Sequence, residues 1–145
     1  MIYLDTSVLA PFYWAEALSD AVEELLRSET DLGISQLVEV ELFSALSRRV
    51  RMREISSEEA RAIAERFQTD LTNGFYIQLA LEPGHYNRAR DWISHFETPL
   101  RTLDALHLAV AASNDIPLLT ADEALAESAE SLGVEVQILR PLAES

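Results

Sequence analysis

Four carboxylates are placed where a fold could gather oxygen ligands around a hard divalent cation: Asp5, Glu41, Asp104 and Asp122. Asp5 ends the apolar run Ile2-Tyr3-Leu4. Thr6 and Ser7 behind it can each cap a helix, which leaves the acid free for other work. Glu41 has Leu37, Val38, Ser44 and Ala45 as helical neighbours, so it projects from a face that is otherwise apolar or small. An unpaired carboxylate on such a face is costly and usually meets a cation. Asp104 opens a segment rich in Leu and Ala, and Asp122 follows Leu118-Leu119-Thr120. Thr120 and Glu123 have capping-box spacing, which accounts for that helix start without Asp122, and Thr120 is either that cap alone or also a support of the site. Each acid also has a plainer use, as a helix cap at Asp5 or a complement to the helix dipole at Asp104 and Asp122. Oxygen donors without Cys or His company suit Mg²⁺ or Mn²⁺. Such a set activates water beside a phosphoryl group. His107 reads as a hydrogen-bonded packing residue and Glu39 as a solvated one. Arg101 and Thr102 flank the cluster, where they can contact phosphate or form a surface salt bridge.

The elements that must position these acids follow from apolar patterning. Strands are expected at Ile2–Leu4, Leu32–Ser35, Tyr76–Leu79, Pro117–Thr120 and Val134–Ile138. Helices are expected over 15–28, Gln36–Arg51, Ser56–Leu71, Pro83–Phe96, 102–113 and Asp122–Leu132. Ser56 answered by Glu59 is a capping box, and Gly133 is a helix stop. Strands alternate with helices, and the strands lack polar alternation. Both features predict a three-layer α/β/α domain with a parallel five-stranded sheet covered on both faces. Ligands of such sheets sit at the carboxyl ends of the strands. No repeat or linker interrupts residues 1–145, so one domain is expected.

Composition narrows the chemistry. The 145 residues contain no cysteine, which excludes disulfides, thiolate metal sites and cysteine nucleophiles. All 11 basic residues are arginine. Without lysine there is no Schiff-base chemistry and no P-loop, so metal and arginine must supply positive charge. No apolar run is long enough to span a membrane, and nothing before Ile2 resembles a signal peptide, so a cytoplasmic protein is expected. Asp and Glu number 25, for a formal net charge of −14, which argues against a polyanion substrate. Arg48, Arg49, Arg51, Arg53, Arg61 and Arg66 fall in one stretch, however, and make a locally positive face conceivable.

These residues resemble a family. Ile-Tyr-Leu-Asp-Thr-Ser at the start, Ile-Ser-Gln-Leu-Val-Glu-Val-Glu-Leu at 34–42, Leu-Arg-Thr-Leu-Asp-Ala-Leu-His-Leu-Ala at 100–109 and Leu-Leu-Thr-Ala-Asp at 118–122 are similar to the motifs of PIN-domain ribonucleases. The likeness is strongest to the VapC-type toxins of bacterial toxin–antitoxin pairs. It implies that Asp5, Glu41, Asp104 and Asp122 are the acidic quartet, with Mg²⁺- or Mn²⁺-dependent endoribonuclease activity on RNA. It also implies a homodimer and inhibition by a small antitoxin protein, whose basic segment an acidic chain would attract. Two other readings fit the acids. One is a non-catalytic module that binds a basic peptide. The other is a metal-dependent phosphatase, disfavoured by the missing lysine.

Overall fold

The computed structural model describes residues 1–29 and 31–143. Its core is a sheet of five parallel strands in the order β3-β2-β1-β4-β5. β1 is Ile2–Leu4, β2 Leu32–Ser35, β3 Ile77–Leu79, β4 Leu118–Thr120 and β5 Val136–Ile138. Tyr3 stands opposite Gly33 on one side and Leu118 on the other, so β1 is central. β1, β2 and β4 are buried along their whole length, as their unbroken apolar runs require. The edge strands depart from that expectation. β3 is mostly exposed and β5 only partly covered, because each has a neighbour on one side alone.

Seven helices complete the layers: α1 Thr6–Tyr13, α2 Ser19–Ser28, α3 Gln36–Arg51, α4 Ser57–Thr72, α5 Pro83–Ser94, α6 Thr102–Ser113 and α7 Glu123–Ser131. α1 packs on α2 and α3, and α3 on α4, while α5 packs on α6. With the right-handed crossovers that parallel strands favour, this strand order assigns α1–α4 to one face of the sheet and α5–α7 to the other. α6 is buried continuously from Ala105 to Ala111, as its Leu- and Ala-rich sequence predicts. The capping box of Ser56 and Glu59 opens α4, and Gly133 ends α7 at φ 73°.

Two helix starts differ from expectation. The turns before α2 read as helix from residue 15 but remain a loop. The Ser19 hydroxyl accepts from the Glu16 N–H and donates to the Pro11 carbonyl, which fixes a local turn instead. At α7, Asp122 rather than Thr120 is the cap, and its Oδ1 accepts from the Leu125 N–H at 3.1 Å. Thr120 belongs to β4 and faces Asp5.

The expected arginine face is partly consumed by internal contacts. Arg49 lies over the Trp14 ring at 5.2 Å and pairs with Glu16 and Glu54, each at 3.5 Å. Arg66 covers the rings of Phe12 and Tyr13 at 5.4 and 5.3 Å. Arg48 and Arg51 sit in the last turn of α3, where they complement its dipole.

Candidate functional site

β1 runs on to β2 on one side, and β4 runs on to β5 on the other. The order in which strands are added therefore switches between β1 and β4, and a crevice at the carboxyl ends of these two parallel strands is the expected ligand site. Asp5 follows β1 at that point. Its N–H donates to the Leu119 carbonyl of β4, and its own carbonyl accepts from the N–H groups of Val8 and Leu9 in α1. The backbone is thus tied to the neighbouring strand and to the helix that leaves it.

The side chain is held as firmly. Ser7 Oγ donates to Asp5 Oδ1 at 2.5 Å, and Thr120 Oγ1 donates to Oδ2 at 2.6 Å. Ser7 Oγ in turn accepts from the Ala121 N–H, and Thr120 Oγ1 from the Asp122 N–H, both at 3.0 Å. Two hydroxyls expected as helix caps are instead a clamp that fixes the plane of a carboxylate. Asp5 is only 5% exposed. Burial pushes its pKa above the ordinary carboxylate value. The Ser7 and Thr120 hydrogen bonds and nearby His107 oppose the shift without cancelling it, and Asp104 adds to it.

Glu41 projects from α3 toward the same end of the sheet. Thr6 Oγ1 donates to its Oε1 at 3.1 Å, and His107 Nε2 hydrogen-bonds the same oxygen. Behind His107 a buried chain continues. Tyr3 OH lies 2.6 Å from His107 Nδ1 and 2.8 Å from Ser35 Oγ. If the tyrosine hydroxyl donates to Nδ1, the imidazole carries its proton on Nε2 and donates to Glu41. His107, expected as a hydrogen-bonded packing residue, is that and more: it aims Glu41. Nothing local in the sequence reveals this contact, since Tyr3 and His107 are 104 residues apart. We expect His107→Leu to lower stability by about 1–3 kcal/mol in urea unfolding, because it leaves the buried Tyr3 hydroxyl with Ser35 as its one partner and Glu41 with Thr6 as its one donor.

Asp104, in the first turn of α6, connects the set. Burial raises its pKa most, Asp122 and Glu41 raise it further, and His107 and Arg101 pull it down. Asp5, Glu41 and Asp122 therefore all bear electrostatically on Asp104. Asp104 and Asp122 also share a cavity of about 290 Å³, with Arg101, Leu125 and Ser128 in its walls. Asp5 and Glu41 lie outside that lining, on the strand side of Asp104. The structure thus brings the four acids to one end of the sheet, from buried Asp5 to exposed Asp122. Among the described residues, however, no three His, Asp or Glu side chains are drawn together tightly enough to form a ready ion-holding group.

The donor set still suits a hard cation. All four candidates are carboxylates, and two of them, Asp5 and Asp104, have pKa values raised by burial and by neighbouring carboxylates. A dication relieves both penalties.

The chain is similar to known proteins in sequence and in fold. The ribonuclease VapC35 of Mycobacterium tuberculosis is 33% identical, over 94% of this chain and 95% of its own. The crystal structure of FitAcB from Neisseria gonorrhoeae superimposes with a TM-score of 0.72, covering 97% of this chain and 98% of its own at 20% identity. A toxin–antitoxin complex from Klebsiella pneumoniae gives a TM-score of 0.63 at 15% identity, covering 84% of this chain and 87% of that one. The sequence model of the PIN domain matches residues 2–130. The chain belongs to the PIN-domain family.

Proposed function

We propose that this protein is an endoribonuclease dependent on Mg²⁺ or Mn²⁺, the toxin of a toxin–antitoxin pair, with Asp5, Glu41, Asp104 and Asp122 as its acidic site. The observation that carries the reading is a buried, clamped Asp5 at the point where the strand order switches between β1 and β4, in electrostatic reach of Asp104. The resemblance to a relative named as a ribonuclease supplies the substrate class. When bound, a divalent ion supplies a water of lowered pKa and stabilises charge on the phosphoryl oxygens.

The chain's own residues do the rest. Asp5 presents a carboxylate whose plane Ser7 and Thr120 have fixed, so no rotamer search precedes binding. Thr6 and His107 hold Glu41 in the same manner. Asp104 and Asp122, at the open end, are the pair free to adjust. Arg101 stands beside them at the start of α6 and offers a guanidinium fork to a backbone phosphate. Arg48, Arg51 and Arg53 lie seven or more residues beyond Glu41 on or just past α3, roughly 10–18 Å along the helix axis. They would meet RNA some distance from the cut.

The net charge of −14 suits a basic segment of an antitoxin better than it suits RNA. We further propose that residues 1–145 form a single domain that pairs as a homodimer, which sedimentation of the purified protein would read directly. The functional test is incubation with total RNA, with Mg²⁺ or Mn²⁺ and with EDTA. Discrete fragments are expected only when the ion is present. Intact RNA in every arm would refute the proposal.

A further inference from the structure

The cavity beside the acids has a composition that four carboxylates do not explain. One end is formed by Asp104 and Asp122, but its walls are the ring of Pro99 and the buried side chains of Leu100 and Leu125. At about 290 Å³ it lies at the small end of ligand pockets. Two polar groups in it lack protein partners. Ser128 is 3% exposed and lines the cavity, yet among the described residues its hydroxyl makes no hydrogen bond. It does not bond back to its own helix, as a buried serine commonly does. Arg101 forms no salt bridge among the described residues, although it is near enough to Asp104 to lower its pKa.

An anion would be repelled by Asp104 and Asp122, and a purely apolar group would leave the Ser128 hydroxyl unsatisfied. A flat, neutral group with polar edges satisfies both conditions. We propose that this cavity receives the base of the nucleotide next to the scissile phosphate. Leu100, Leu125 and Pro99 cover its faces, Ser128 reads its edge, and the Arg101 guanidinium packs at the mouth against the base or its phosphate. Single-stranded RNA is read in this way, by splayed bases held between side chains and hydrogen-bonded along their edges. The inference rests on the nuclease reading for its substrate and adds a specificity-determining residue, Ser128, to it.

The test compares wild-type protein, Ser128→Ala and Ala124→Phe on short RNAs that differ at one nucleotide flanking the cut. Ala124 is an exposed residue on the rim, so a phenylalanine there plugs the opening without disturbing the core. Thermal unfolding verifies that both variants fold. Wild type should prefer particular bases at that position, and Ser128→Ala should flatten the preference by roughly five- to tenfold, the worth of one hydrogen bond. Ala124→Phe should raise KM for the preferred RNA. Wild-type preference and wild-type KM in both variants would overturn the pocket. A separate arm needs no cleavage: adenosine, guanosine, cytidine and uridine are titrated in turn while the amide resonances of Leu125 and Ser128 are followed. Shifts at these residues that vanish in Ala124→Phe support the pocket even if no RNA is cut, and failure of all four nucleosides to move them overturns it. A cleavage-inactive protein that binds nucleosides would sink only the nuclease reading.

Discussion

Asp5→Asn should lower the rate of metal-dependent RNA cleavage by roughly 100- to 1,000-fold, the scale on which removal of one preorganised charged or hydrogen-bonding group acts. The same substitution should make the metal-free protein more stable. Asparagine keeps the shape of the side chain and can accept one of the two hydroxyl bonds from Ser7 and Thr120. What it removes is a charge that burial penalises. Asp5 has a folded pKa above its unfolded one, so folding takes up a proton between the two values. Its ionised form therefore costs stability at neutral pH, and that cost is absent below the unfolded pKa. In EDTA, the unfolding midpoint of Asp5→Asn should exceed that of wild type at pH 7, and the gap should close toward pH 4. A variant less stable than wild type at pH 7, or one that cuts RNA at the wild-type rate, would contradict this account of Asp5.

The second large effect concerns Asp104, the acid on which the other three bear. Asp104→Asn should weaken Mn²⁺ binding by calorimetry about 100-fold or more, since even the outer partners of metal ligands are worth 10- to 100-fold. The acid is half-buried at the start of α6, and replacing it also relieves repulsion from Asp122 and Glu41. Loss of affinity should therefore come without loss of fold. Unchanged Mn²⁺ binding would remove Asp104 from the candidate ligands and favour a docking role for the acids. Both experiments separate a cation site from a cluster that merely attracts a basic peptide, because only the former loses ion binding when one carboxylate becomes an amide.

Much of the fold was legible because it depends on local patterns. The buried runs of β1, β2 and β4, the continuous apolar face of α6 and the Ser56–Glu59 box are written in neighbouring residues. The false start of α2 shows the limit of such patterns. Ala17 and Leu18 fit a helical period, but Ser19 and the Trp14 indole, which donates to Glu16 at 2.6 Å, favour a turn. At the candidate site, Asp5 and Asp122 stand out by their position after strands and Glu41 and Asp104 by their position on helices that begin near strand ends, whereas most of the groups that hold them do not stand out. Ser7 reads as a cap and Thr120 as a cap or a support of the site, and only the pairing of β1 with β4 turns both toward one carboxylate. The link from Ser35 through Tyr3 and His107 to Glu41 joins two strands and two helices, and no sequence window contains it.

The brevity of the outer strands has a consequence of its own. β3 and β5 each offer just three residues of peptide edge, and Pro141 follows soon after β5. Such stubs present too few free amides and carbonyls to template another chain, which is how many soluble sheets resist fibril growth. Recruitment of a companion protein by strand addition is correspondingly disfavoured, and contact falls to the helical surfaces and loops.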